Sequence, residues 1–189
     1  MSGQMNRRVL AVVAGAVVVV VGLLGAWRWG PFSDDEVVPS CGELTRALPG
    51  VVEGEWTLTR TEPKRETSKT VVTCEFDFAS TDRSFQGKIA VSLTHSDDEA
   101  DLRRTATEGP CHGETVPYPS AADYQVARSC WERINDKVFA GVFAVTDHRY
   151  AHVYADFAGA GAPPEQVVAY ANTSAQRITD RAITLKSAD

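Results

Sequence analysis

An alternation of apolar and polar residues with a period of two recurs in six segments of the chain. In the segment 71–78, for example, Val72, Cys74, Phe76 and Phe78 alternate with more polar neighbours. A strand that is covered on one face and solvated on the other has this pattern, and such strands are typical of antiparallel sheets. The predicted strands occupy residues 56–60, 71–78, 88–94, 124–132, 137–146 and 149–157.

Three other segments carry signals for helices. Ser40 and Glu43 have the spacing of a capping box, in which each side chain binds a backbone amide of the other residue. The sequence from Ser96 to Glu99 repeats this spacing and predicts a second helix. A third helix is predicted to begin at Pro163-Pro164. Its apolar stripe comprises Val168, Ala171, Ala175, Ile178, Ala182 and Leu185.

The elements therefore follow the order helix-βββ-helix-βββ-helix, which indicates an α+β domain. Asn135-Asp136 separates two of the predicted strands and predicts a tight hairpin turn. We expect one antiparallel sheet in two three-strand groups, with the helices gathered on one face.

A continuous apolar run precedes this domain. Every residue of the segment 9–26 is apolar or glycine, and the tryptophans of Trp27-Arg28-Trp29 suit the boundary between lipid headgroups and hydrocarbon. Residues 9–29 are long enough to cross a hydrocarbon core of about 30 Å at about 1.5 Å per residue. The sequence therefore predicts an N-terminal transmembrane helix, with a cleaved signal peptide as the alternative.

The charges on either side of this run predict its orientation. Arg7 and Arg8 precede it without any acidic residue, whereas three acidic residues follow it at 34–36. Positively charged flanks stay in the cytoplasm, so the location we expect is the cell membrane, with a single pass and an exported C-terminal domain. The expected divisions are a cytoplasmic N-terminus at 1–8, a transmembrane helix at 9–29, a linker at 30–39 and an extracytoplasmic domain at 40–189.

The exported part is more acidic than the whole protein, which has a formal net charge of −6. All 25 acidic residues lie at Asp34 or later, whereas three of the 19 basic residues (Arg7, Arg8 and Arg28) precede it. The part from Asp34 onward thus has a net charge of −9. An acidic surface repels nucleic acid, so we expect no nucleic acid as a partner. The partners that we expect are the membrane, through the segment 9–29, and a protein or cell-envelope ligand.

Four cysteines, Cys41, Cys74, Cys111 and Cys130, all follow the predicted membrane segment. An even number of cysteines in an oxidising compartment indicates disulfides, and three connectivities are open. We favour the sequential pairing of Cys41 with Cys74 and of Cys111 with Cys130. A zinc site is the alternative, but the chain has no Cys-x-x-Cys pair and its spacings are long and irregular. We therefore expect no metal and no other cofactor.

Three short motifs around the cysteines resemble those of known exported domains. At Cys41-Gly42-Glu43-Leu44, Cys74-Glu75-Phe76 and Cys130-Trp131 the chain looks like exported actinobacterial domains of small lipoproteins and of receptor-kinase sensors. The resemblance spans residues 40–157 and implies a binding or sensing domain without known chemistry. The chain departs from the lipoprotein pattern because Cys41 does not directly follow the apolar segment, so we expect no lipidation.

His95 is the best candidate for acid–base chemistry, because the carboxylates of Asp97 and Asp98 would stabilise its protonated form. An envelope hydrolase that uses His95 is therefore an alternative function. The other interpretation is a histidine at a strand end beside a helix N-cap. The chain has no Gly-x-Ser-x-Gly, Ser-x-x-Lys or His-Glu-x-x-His motif, and we predict that it is not an enzyme.

The predicted strand 149–157 carries a row of aromatic and titratable side chains on one face: Tyr150, His152, Tyr154 and Asp156. This row could bind a ligand, or it could lie beneath a helix with the hydroxyls at the rim, because amphipathic tyrosines serve both uses. We expect a non-enzymatic, membrane-anchored binding or sensing domain that uses this row as its contact surface. A structural component of an envelope complex is a further alternative.

Overall fold

The computed structural model describes residues 38–66 and 69–186, which lie within the compact unit Glu36–Asp189. They form an α+β domain with one antiparallel sheet of seven strands and three α-helices. The predicted membrane segment at 9–29, with the predicted cytoplasmic N-terminus and most of the linker, lies outside the described residues. Among the helices that are described, none is long and apolar enough to cross a lipid bilayer.

The elements follow the predicted order, with one short strand and two short 3₁₀ turns in addition. The strand order in the sheet is β1-β2-β3-β7-β6-β5-β4, so the two three-strand groups meet where β3 pairs with β7 at the centre. The helices are α1 (Cys41–Ala47), α2 (Glu99–Glu108) and α3 (Pro164–Thr184), and the 3₁₀ turns are Leu48–Gly50 and Pro119–Asp123. The strands are β1 (Gly54–Glu66), β2 (Lys69–Ser80), β3 (Phe85–Ser96), β4 (Glu114–Thr115), β5 (Val126–Ile134), β6 (Lys137–Val145) and β7 (Arg149–Gly159).

Element boundaries differ from the prediction where the chain is exposed. Strand β1 is a sheet edge and runs to Glu66, beyond its predicted end at Arg60, because residues 57–64 are all exposed and therefore show no useful alternation. Strand β4 is absent from the prediction because its two residues are both exposed. Burial on one face creates the pattern that sequence analysis detects, and edge strands lack it.

Local turn and capping chemistry is confirmed at two places and corrected at a third. Ser40 and Glu43 form the predicted capping box. Asn135 adopts a positive φ of 58° in the predicted hairpin, a conformation that asparagine tolerates well. Helix α2 is capped by Asp98 and not by Ser96, which is buried at the end of β3.

Helices α1 and α3 pack on one face of the sheet, which we call the covered face. Leu44 of α1 and Ile178 of α3 are fully buried in one apolar cluster with Phe76 of β2, Val142 of β6 and Val153 of β7. The buried apolar stripe of α3 starts one residue earlier than predicted and comprises Val167, Ala171, Ala175, Ile178, Ala182 and Ile183.

Helix α2 packs on the opposite face, so the prediction that all helices gather on one face is wrong. Val142 and Phe143 are adjacent in β6, and adjacent strand residues point to opposite faces. Val142 belongs to the covered-face cluster, whereas Phe143 is buried with Leu102 and Ala106 of α2. An amphipathic pattern shows which side of a helix is buried but not which sheet face receives it. Because α2 lies over only one end, we call this second face the half-open face.

Two disulfides join the cysteines in the predicted sequential pairing. Cys41 and Cys74 connect α1 to β2 with an S–S distance of 2.02 Å, and Cys111 and Cys130 connect the segment after α2 to β5 at 2.00 Å. The first disulfide lies in the covered-face cluster, and the second lies on the half-open face. Structural disulfides persist in oxidising compartments, so the pairs indicate an extracytoplasmic environment.

Candidate binding surface on the half-open face

The four predicted contact residues share one face of β7, as the sequence predicts, but they lie in different environments. Strand β7 is the central strand of the sheet, with β3 on one side and β6 on the other. Going along it, Tyr150 is buried, His152 is half-buried, Tyr154 is exposed and Asp156 is half-buried. The row therefore does not form one uniform surface.

Tyr150 is a core residue beneath α2. Its side chain is 8% exposed and lies in the same cluster as Leu102 and Ala106. Burial raises the pKa of Tyr150 to about 12, and the positive charge of Arg128 only partly opposes this shift. Tyr150 therefore lies beneath α2, which is the second of the two arrangements that the sequence left open for this row.

His152 marks the margin of the region that α2 covers. Its ring stacks on the ring of Phe143, with the centroids 4.4 Å apart and the planes within 10° of parallel. Burial lowers the pKa of His152 below its usual value. The neutral ring is the form that packs well against an aromatic side chain, so His152 serves chiefly as part of the small core on this face.

Tyr154 is the member of the row that faces solvent. It is 42% exposed even though it lies on the central strand. Its direct cross-strand neighbours are Ala90 in β3 and Gly141 in β6, and both are too small to cover a tyrosine ring. Phe139, two residues from Gly141, is the nearest aromatic neighbour, with ring centroids 5.9 Å apart.

Asp156 is engaged within the domain. Its carboxylate accepts a hydrogen bond of 2.6 Å from the backbone amide of Lys88 and one of 3.1 Å from Nζ of Lys137. Both partners lie on strands that flank β7. Asp156 thus fixes the polar border next to Tyr154, and its charge is compensated locally.

Ile134 extends the apolar surface around Tyr154 to the next hairpin. It is 48% exposed and lies opposite Lys137, on the same face as Phe139. We call Tyr154, Phe139 and Ile134 the tyrosine patch. Sequence analysis missed Phe139 and Ile134, although the Asn135-Asp136 turn fixes the register of β5 and β6 and so contained the necessary signal.

His95, the candidate acid–base residue, lies at the end of β3 and is half-buried. Its ring centroid is 6.1 Å from that of His148, whose Nδ1 lies 4.0 Å from a carboxylate oxygen of Glu99. Cavities of about 680, 470 and 220 Å³ occur in the described part of the chain, and His95 lines none of these three. Within residues 38–66 and 69–186, no group of three or more His, Cys, Asp or Glu side chains is arranged to hold a metal ion.

A second tyrosine cluster, which sequence analysis did not find, lies on the other side of the domain. The carboxylate of Asp180 in α3 accepts hydrogen bonds from Tyr118 at 2.7 Å, Tyr124 at 2.6 Å and Ser120 at 2.9 Å. Burial, with the adjacent Asp180 charge, raises the pKa of both tyrosines, which stay protonated as donors. This cluster fastens the segment around the second 3₁₀ turn to α3, and we call it the Asp180 clamp.

Comparison with protein-family models, with curated proteins and with solved structures gives no match for this chain. The resemblance to exported lipoprotein and sensor domains therefore stays a prediction.

Proposed function

We propose that this chain is an exported, membrane-anchored domain that binds a protein partner through the tyrosine patch and catalyses no reaction. The observation that carries the proposal is Tyr154, a large aromatic residue that is 42% exposed on the central strand of the sheet. The solvated face of an antiparallel sheet usually carries polar side chains, and Tyr154 departs from that pattern. An uncovered tyrosine there is a typical anchor for a protein partner.

The border of the tyrosine patch favours a protein over a small ion or a charged ligand. Lys137 pairs with Asp156 at 3.1 Å, and Lys88 pairs with Asp77 at 3.7 Å. These four charges form ion pairs within the domain, whereas Glu132, which lies opposite Phe139, adds a negative charge near Tyr154. The patch thus has an apolar centre and a polar rim. Protein interfaces commonly combine an aromatic centre with a polar rim in this way.

The predicted membrane segment at 9–29 would hold the tyrosine patch close to the bilayer. A domain tethered to a membrane searches for partners in a layer close to the bilayer, which raises their effective concentration. A modest apolar patch is therefore sufficient for binding to another membrane or envelope protein. The single-pass topology, with an N-terminus in the cytoplasm, is part of this proposal.

Site-specific photo-crosslinking in the cells that produce the full-length chain tests the proposal. A photoreactive phenylalanine analogue replaces Tyr154 in one variant and Leu58 in the control, because Leu58 is comparably exposed at 37% but lies on edge strand β1. We expect a discrete crosslinked protein from position 154 that is absent from position 58. Equal products from both positions, or none from position 154, would contradict binding through the tyrosine patch.

A second measurement separates binding from folding. Ile134→Glu places a charge within the tyrosine patch at an exposed position, so the melting temperature should change little. The crosslink from position 154 should nevertheless disappear, because the buried centre of a protein interface excludes an unpaired charge. A crosslink that persists in this variant would show that the partner does not contact the patch.

A further inference from the structure

A cavity beside α3 lies away from the tyrosine patch. Its volume is about 680 Å³, and its walls come from the segment after α1, from the β2–β3 turn and from α3. A neighbouring cavity of about 470 Å³ shares Gly50, Val51 and Arg177 with it and continues along α3 to Thr184. We call the two together the α3 groove. Its size falls within the range of about 300–1,000 Å³ that is usual for small-molecule sites.

Two arginines on α3 provide the positive charge of the groove. Arg177 lines both cavities and Arg181, one helical turn later, lines the second. Residues four apart on a helix project from the same side. Neither guanidinium forms a hydrogen bond or an ion pair with another residue in the ranges 38–66 and 69–186. Their donors are thus directed to solvent or to a ligand.

Two of the acidic residues that line the groove are already engaged by other groups. Asp82 accepts hydrogen bonds from Ser80 Oγ at 2.7 Å and from the amide and Oγ of Ser84 at 3.0 and 2.8 Å. These hydrogen bonds lower the pKa of Asp82 to about 2. Asp180 is held by the three hydroxyls of the Asp180 clamp. Glu53, an exposed residue of the first cavity, is the remaining carboxylate.

The first cavity also contains a neutral donor and an aromatic wall. The rings of Phe85 and Tyr170 stack with centroids 4.0 Å apart and planes 9° from parallel. The Tyr170 hydroxyl is buried and meets hydrogen-bond geometry with no other described group. Burial raises the pKa of Tyr170, and the neighbouring Ser174 hydroxyl only partly opposes this shift. The hydroxyl therefore stays protonated, and its hydrogen bond can be accepted either by the neighbouring Ser174 hydroxyl or by a ligand.

We propose that the α3 groove binds a phosphate monoester that carries a ring or another flat apolar group. Arg177 and Arg181 would hold the phosphate, because guanidinium groups match phosphate oxygens in geometry and charge. The Phe85–Tyr170 wall would contact the apolar group, and the Tyr170 hydroxyl would donate to a polar atom beside it. The groove lining holds two guanidinium groups and three carboxylates, those of Glu53, Asp82 and Asp180, so it has no net positive charge. Binding would therefore depend on direct contacts between the phosphate and the two unpaired guanidinium groups.

Isothermal titration of the full-length chain in a neutral detergent tests this proposal. The probes are phenyl phosphate, inorganic phosphate and the soluble lipid dihexanoyl phosphatidylglycerol, with dihexanoyl phosphatidylcholine as the neutral-headgroup comparison. We expect saturable binding of phenyl phosphate that is at least tenfold tighter than that of inorganic phosphate. Tighter binding of the phosphatidylglycerol probe, which is a phosphodiester without a flat group, would overturn the monoester assignment and indicate a lipid headgroup.

The variant Arg177→Gln with Arg181→Gln should reduce the affinity at least tenfold without changing the melting temperature. The charge-matched control is Arg103→Gln with Arg133→Gln, since both of these arginines are exposed and lie outside the groove. Tyr170→Phe should weaken phenyl phosphate binding about threefold by removing one neutral hydrogen bond. No saturable binding of any probe, or an equal loss in the control, would overturn the proposal.

Discussion

The two faces of the sheet each carry helix and a disulfide, but they differ in how much of their surface the helices cover. Each face has a disulfide: Cys41–Cys74 joins α1 to β2 on the covered face, and Cys111–Cys130 joins the segment after α2 to β5 on the half-open face. The covered face receives α3, a helix of 21 residues, together with α1. The half-open face receives only α2, with 10 residues. The longer helix completes a core, whereas the shorter one leaves the tyrosine patch accessible for binding.

Truncation of a buried aromatic residue on each face should give the largest effects. Phe76 of the covered face and Phe143 of the half-open face are both almost fully buried. Phe76→Ala should lower the free energy of unfolding by about 4–5 kcal/mol, and Phe143→Ala by about 3 kcal/mol, because the smaller core can relax around the lost ring. Urea denaturation measures both values. An equal cost would show that the half-open face is packed as tightly as the covered one.

Removing either disulfide should cause local unfolding on the face of the sheet that it stabilises. Replacing both cysteines of either pair by alanine should cost about 3–4 kcal/mol, since the loops span 33 and 19 residues. Hydrogen exchange should show early opening at the C-terminal end of α2 when Cys111 and Cys130 are replaced, because this disulfide fastens the segment directly after the helix to β5. The Cys41 and Cys74 variant should instead lose protection around α1. Uniform loss over the whole domain in both variants would contradict separate stabilisation of the faces.

Two tyrosines on the same face of β7 test where the half-open face changes from core to surface. Tyr150→Ala should lower the free energy of unfolding by about 3 kcal/mol because a buried ring leaves a cavity. Tyr154→Ala should change it by less than about 1 kcal/mol, since this ring is 42% exposed. Thermal or urea unfolding of the two single variants gives the comparison. Similar costs would place Tyr154 in the core and remove the basis of the proposed protein contact.

The smallest effect is a pH dependence at His152, at the border between the two regions. Burial lowers its pKa below 6.5, so the unfolded chain binds this proton more readily than the folded one. Stability should therefore fall as the pH drops below about 6.5 towards the folded pKa, and this contribution should be constant above 6.5. His152→Gln should reduce the difference in urea midpoint between pH 7.5 and pH 5.0, whereas the control His112→Gln, at an exposed position, should not.

Sequence analysis was most accurate where a residue pattern has a single local cause. The hairpin at Asn135, the Ser40–Glu43 capping box and the alternation in β2 are each produced by neighbouring residues, and all three are present in the structure. The edge strand β1 was too short in the prediction because both of its sides face solvent. The α2 cap was misplaced because Ser and Asp are both favoured at an N-cap, and Ser96 instead lies buried at the end of β3.

The candidate sites depended on contacts between residues far apart in the chain. The row from Tyr150 to Asp156 follows from the period of a strand, but the cover over Tyr150 and the absence of cover over Tyr154 depend on the position of α2. The Asp180 clamp joins residues 56 to 62 positions apart. The α3 groove likewise combines three distant segments, and no local pattern marks any of its residues.

The sequence by itself determined the α+β class, the order of the helices and strands and the acidic character of the part from Asp34 onward. It left three cysteine pairings open, and the fold selects the sequential one. Local propensities, periodicity and charge are properties of short segments and do not require the fold. The tertiary structure alone decided that α2 lies on the face opposite α1 and α3, and hence that Tyr154 is exposed and Tyr150 buried. An amphipathic helix gains similar free energy from burial on either face, so its choice depends on chain connectivity, the disulfide and the shapes of the two surfaces together.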